Sequence, residues 1–160
     1  MKNVALVLAL LPCAAAAQTN WLYAPMVEAC FDSGETSCTG TAATMCMADE
    51  PGGDTTMGMT SCLMAEHEVW DQLLNTQYAL VLDYAAEMDV NAQFEAPEYA
   101  VRADQVRAAQ RAWIAFRDAN CTMQYGLWGS GSARHVAKAE CLMLMTATQT
   151  RALHDYYIMP

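Results

Sequence analysis

Residues 60–91 read TSCLMAEHEVWDQLLNTQYALVLDYAAEMDVN, and within them Leu63, Trp70, Leu74, Val81, Tyr84 and Met88 recur at spacings of three, four and seven. That period fits one face of an α-helix. Glu66, Glu68, Asp71, Asp83 and Glu87 occupy much of the remainder, as expected of a polar, exposed face. Thr60 or Ser61 is placed to cap the start, and Asn75 is where so long a helix would break.

On the C-terminal side, Pro97 suits the first turn of a second helix running towards Tyr125. Val106, Ala109, Trp113, Phe116 and Asn120 share one side of it. Gly126 and Gly129-Ser130-Gly131 stop this helix, and a third runs from Ser132 to about Tyr156, with Val136, Ala139, Met143, Thr146, Thr150, Leu153 and Tyr157 on one face. On the N-terminal side, Trp21 to Phe31 and Cys38 to Ala48 read as short helices. Asp49-Glu50-Pro51-Gly52-Gly53-Asp54 reads as a loop, because Pro and paired Gly interrupt regular structure. No alternating β-type run occurs. The expectation is an all-α bundle of three main helices, one or two short N-terminal helices, and disulfide staples.

Lys2, the apolar run Val4 to Leu11 and Ala15-Ala16-Ala17 form a secretory signal peptide. Cleavage after Ala17 leaves Gln18 to Pro160, 143 residues, read as a single helical domain with a cysteine-containing elaboration at 18–45. Nothing later in the chain reaches the apolar length a membrane span needs. Without Lys2 there remain 7 basic and 18 acidic residues, a net charge of −11. That balance argues against nucleic acid and anionic lipid, and favours a cationic protein partner.

Six cysteines follow the signal peptide: Cys30, Cys38, Cys46, Cys62, Cys121 and Cys141. An even number in an exported domain reads as three disulfides, with 15 pairings open to sequence alone. Neither a Cys-x-x-Cys pair nor a haem-attachment motif is present, so no metal or cofactor is implied. Leu10-Leu11-Pro12-Cys13 loosely resembles a lipoprotein cleavage site, but Pro12 stands where a small residue is wanted, and the alanine site fits better. The charges are also divided along the chain. Gln18 to Val101 holds 14 acids and no Lys or Arg, whereas Arg102 to Pro160 holds 7 bases and 4 acids. Arg102, Arg107, Arg111 and Arg117 are therefore expected to face carboxylates of a neighbouring helix.

Several pieces form a series: Met59-Thr60-Ser61-Cys62, Glu66, Trp70-Asp71-x-x-Leu74-Asn75-x-x-Tyr78-x-x-Val81, Gln110-Arg111-Ala112-Trp113-x-x-Phe116-Arg117-Asp118-x-x-Cys121, and Cys141-Leu142-x-x-Met145-Thr146. In this order they closely resemble the LprI-like lysozyme inhibitor family of small exported bacterial domains. The resemblance covers roughly Cys46 to Leu153 and implies that Cys121 pairs with Cys141 and Cys46 with Cys62, leaving Cys30 for Cys38. Each pair is also near in sequence and bridges a loop. Closing the Cys121 to Cys141 loop is worth roughly 3 kcal/mol in chain entropy.

The shared positions Leu74, Asn75, Tyr78, Gln110, Trp113, Arg117 and Asp118 read as architecture. Leu74, Val81 and Trp113 are core candidates, while Asn75 and Gln110 are expected to pair across the bundle, because buried amides need partners. Arg117-Asp118 would tie the last helix down beside Cys121. One departure stands out: where the family commonly carries an arginine eight residues after the last cysteine, this chain has Gln149, with Arg151 on a different helix face.

No catalytic elbow, zinc-protease motif or phosphate loop occurs, and His67 between Glu66 and Glu68 lacks a nearby nucleophile, so an enzyme is not expected. The resemblance implies inhibition of a basic c-type lysozyme, protecting the bacterial wall from the periplasm or outside the cell. The clipped loop with Asp49, Glu50 and Asp54 is our candidate protruding contact. Two alternatives remain: a cell-envelope protein-binding or structural domain without inhibition, and a Cu(I)-binding protein. The last rests on 11 methionines in the 143 mature residues, with Met45-Cys46-Met47, Met57-Gly58-Met59, Met64 and His67 crowded around one clip. The plain reading of these methionines is gap-filling in a small core. Sequence leaves the oligomeric state open.

Overall fold

The computed structural model describes residues 21–158. The expected signal peptide at 1–17, with Cys13, lies outside the described residues. Five α-helices occur among those described: α1 (Ala24–Asp32), α2 (Thr41–Asp49), α3 (Thr56–Glu95), α4 (Arg102–Leu127) and α5 (Ala133–Ile158). The fold is all-α. Three disulfides staple it, Cys30–Cys38, Cys46–Cys62 and Cys121–Cys141, with Cα–Cα separations of 5.7, 5.7 and 5.5 Å.

The 40 residues of α3 form the axis, about 60 Å long at 1.5 Å per residue. The helix begins earlier than Thr60 and runs unbroken through Asn75. Thr55 caps it, its hydroxyl accepting from Gly58 N at 3.0 Å. Antiparallel to α3 runs α4, with Arg117 beside Asp71 and Arg102 beside Asp89. The return helix α5 lies parallel to α3, with Thr150 Oγ1 3.2 Å from Trp70 O and Tyr157 edge-on to Tyr84. Pro97 opens a 3-10 turn, Pro97–Tyr99, rather than α4 itself. Asp89 explains the later start of α4: its carboxylate accepts from Arg102 N and Ala103 N, both at 2.9 Å, capping that helix from outside.

Two apolar clusters fill the bundle. Leu63, Val69, Trp70, Ala139, Met143 and Ala147 meet Tyr23, Val27, Ala42 and Ala43 of the N-terminal pair. Leu74, Val81 and Leu153 form the second, flanked by half-buried Tyr78, Val106 and Trp113. The interior stripe of α4 is Ala103, Val106, Gln110, Trp113, Arg117 and Cys121, shifted from the expected one. Ala109 is exposed and Phe116 is 62% exposed. Val106 and Trp113 belong to the expected face as well, but Gln110 and Arg117 lie inside where Ala109 and Phe116 were expected, because an apolar pattern passes over a glutamine and an arginine. Gln110 does pair across the bundle, accepting from Gln149 Nε2 at 3.2 Å, so the residue that replaces the family arginine completes an amide pair. Asn75 does not. It is exposed and donates to Asp71 Oδ2 in its own helix at 3.2 Å, since its position points away from both neighbours. Arg102 and Arg117 reach α3 carboxylates, whereas Arg107 turns to Asp104 on its own helix.

Glu66, read from the sequence as part of an exposed polar face, is only 1% exposed. Its carboxylate accepts from Gly40 N and Ala43 N, each at 2.7 Å, and from Trp70 Nε1 at 3.1 Å. Those two amides belong to the start of α2, which has no cap of its own. An anion at the positive end of a helix is favourable, and three donors satisfy it. The Arg151 guanidinium lies over the Trp70 ring, 4.5 Å from its centroid, and donates to Glu35 O at 2.8 Å. Burial works against the Arg151 charge, and the Glu66 carboxylate works for it.

Glu66→Ala orphans two amides and an indole and removes a carboxylate that favours the Arg151 charge. It should lower unfolding free energy by about 3–5 kcal/mol in urea titration with disulfides intact. A loss below about 1 kcal/mol would contradict the role assigned to this carboxylate.

Candidate functional acidic corner

Asp49, Glu50 and Asp54 come together at the corner between α2 and α3, and all three are exposed. The connection is a run of turns. It is folded tightly, with Gly53 N donating to Glu50 O at 2.9 Å and Thr55 N to Gly52 O at 3.0 Å. Two glycines make this packing possible. A Cβ on Gly53 would strike the Met47 carbonyl, and one on Gly58 would strike that of Gly52, both backbone atoms with no room to give. The Cys46–Cys62 bridge joins the two helices just behind the corner.

The electrostatics are distinctive. Asp49 is the last residue of α2 and Glu50 its C-cap, so both carboxylates stand at the negative end of that helix, where they are disfavoured. Asp49 is partly compensated by Tyr23, whose hydroxyl donates to Asp49 Oδ2 at 3.1 Å. Burial first, then the Asp49 hydrogen bond and charge, holds the Tyr23 hydroxyl above the ordinary tyrosine pKa. Tyr23 was not singled out from sequence, and nothing in its local spacing marks a contact 26 residues away.

A second cluster lies between α3 and α4. Arg117 lines up with Asp118 Oδ1 at 3.0 Å, Asp71 Oδ1 at 3.7 Å and Thr146 Oγ1 at 3.4 Å, and lies over the Trp113 ring. It thus ties α4 to both α3 and α5. His67 borders this groove, half-buried, with a buried Nε2 that has no hydrogen-bond partner in the protein. Burial lowers its pKa below the usual imidazole value. The Asp71 charge opposes that shift, and the Arg117 charge reinforces it. Among the described residues no cluster of three or more His, Cys, Asp or Glu side chains is arranged to hold a metal.

The family model described as lysozyme inhibitor LprI matches residues 46–153. The chain belongs to the LprI family. The match takes in α3, α4, nearly all of α5, two of the three disulfides and all three corner carboxylates. It leaves out α1 and the Cys30–Cys38 bridge. Comparison with curated proteins and with solved structures found no match. The family is one of inhibitors rather than enzymes. Its description, together with the disulfides, points to an exported LprI protein, and no helix among the described residues is long and apolar enough to cross a membrane.

Because the folded state holds His67 neutral below the pKa of the unfolded chain, protons bind preferentially to the unfolded state as pH falls below about 6.5. The contribution of neutral His67 is present above that pH and lost through the folded-state pKa. Denaturant titrations at pH 7 and pH 5 should therefore show a smaller acid-induced loss for His67→Gln than for the wild type. An equal loss in both would remove His67 as a source of acid sensitivity.

Proposed function

We propose that this LprI protein binds a basic c-type lysozyme through the acidic corner of Asp49, Glu50 and Asp54 and inhibits it, in the periplasm or outside the cell. The observation that carries this reading is the corner itself: three exposed carboxylates on a backbone already fixed by two glycine contacts, a helix cap and a disulfide. A rigid element loses little entropy on binding, and complementary charge speeds encounter with a cationic partner. Two of the three acids stand against their own helix dipole, which opposes folding stability and favours a positive partner. Family membership supplies the lysozyme. The domain has no catalytic part in this reading. It occludes.

The test is titration of the mature protein, disulfides intact, into a c-type lysozyme assay on cell walls at about 0.15 M salt. Near-stoichiometric, saturable inhibition is expected. The triple variant Asp49→Lys, Glu50→Lys, Asp54→Lys should keep its helical circular dichroism and lose at least about tenfold in association rate. Inhibition unchanged in that variant would move the contact off the corner. Absence of inhibition by wild-type protein would overturn the lysozyme reading and leave the envelope protein-binding alternative.

A further inference from the structure

Core filling accounts for Met143, which is 2% exposed, but not for Met57, 81% exposed, or Met64, 37% exposed. These two residues stand seven positions apart on α3, two turns along one face. They line a single cleft of about 440 Å³ with Thr56, Thr60, Ser61, Ser132 and His135. His135 comes from the first turn of α5, set against the edge of the Tyr125 ring with centroids 5.2 Å apart. The sequence crowds these methionines and His67 around the Cys46–Cys62 clip. Cys46 and Cys62 form the expected disulfide, and His67 shares the neighbouring Arg117 groove with Met64, whereas the cleft that holds both methionines takes its imidazole from His135.

We infer that Met57, Met64 and His135 form a surface site for Cu(I), next to the acidic corner but built from other side chains, and this inference does not rest on lysozyme inhibition. The donor set is two thioethers and an imidazole. Thioether sulfur is soft and selects monovalent copper over hard or borderline divalent ions. No carboxylate lines the cleft, so calcium, magnesium and manganese find no charged oxygen there. Exposure on the open side gives the ion a path in, and the rotatable bonds of unbranched methionine leave each sulfur free to reorient.

The test uses the mature protein with its disulfides intact and methyl-labelled methionine. Ag(I), which needs no reductant, serves as the first probe. Equimolar Ag(I) should shift the Met57 and Met64 methyl resonances and leave Met143 unmoved, and the protein should withdraw Cu(I) from a colorimetric chelator. The Met57→Leu, Met64→Leu double variant, conservative at exposed positions, should lose this binding with unchanged circular dichroism, and so should His135→Gln. Unmoved Met57 and Met64 methyls, or full binding by the double variant, would overturn the site. An equal response to Zn(II) would overturn its assignment to a soft monovalent ion.

Discussion

Burial of the Glu66 carboxylate constrains the rest of the molecule. A nine-residue helix such as α2 is marginal by itself, and this one has no side-chain cap of its own. Its first amides instead close on an anion projected from α3, while the Trp70 indole, on the next turn of α3, donates to the same group. Arg151 of α5 covers the opposite face of the site through the Trp70 ring and reaches Glu35 between α1 and α2. Sliding α2 along α3 would leave a buried charge without donors, so the N-terminal pair has one seat. Apolar contact through Val27, Ala42 and Ala43 then fills the space that the carboxylate has defined.

Periodicity carries the long helices as far as Val81 of α3 and Leu153 of α5, which are buried at the spacings the sequence displays; Tyr84 and Tyr157 further along are 38% and 41% exposed and pack edge-on to each other. By itself periodicity does not place the side chains that are polar and inside, and Gln110 and Arg117 were reached only through their need for partners. Glu66 and Gln77 of α3, and Gln110 of α4, are buried, and Arg117 nearly so. Each is satisfied by a group far away in the chain or on another helix, which no local pattern contains. On α4 the apolar pattern placed Val106 and Trp113 rightly but put Ala109 and Phe116 inside, whereas Gln110 pairs across the bundle as expected, and Asn75 was assigned a partner across the bundle when Asp71 lay one turn away. The start of α4 failed for the same reason, since its cap is Asp89, 13 residues upstream of Arg102.

The candidate corner was only half visible. Its three acids and its turn residues could be read directly, as could a cysteine on either side. That the connection folds back on itself could not, because the decisive contacts are absences of side chain: Gly53 against the Met47 carbonyl and Gly58 against that of Gly52. Paired glycines read as a break in structure and here produce a rigid one. The methionines pose the reverse case, where composition was plain but exposure and the company of His135 depended on how α3 and α5 lie together.

The division of charge along the chain acquires meaning from where the ion pairs fall. Among the described residues they involve Asp71, Asp89, Asp104 and Asp118, and two of them draw α4 onto α3. The corner acids are outside that set, so their field is directed to solvent rather than spent inside the bundle. The two ends of α2 thus carry opposite assignments. At its start a buried carboxylate matches the dipole and fixes the helix; at its end Asp49 and Glu50 oppose the dipole and stay exposed. The first arrangement makes the second tolerable. A helix held by Glu66, a disulfide and the Tyr23 hydroxyl can present unfavourable charge at its free end without fraying, which is what the contact proposed above, with a cationic protein, requires.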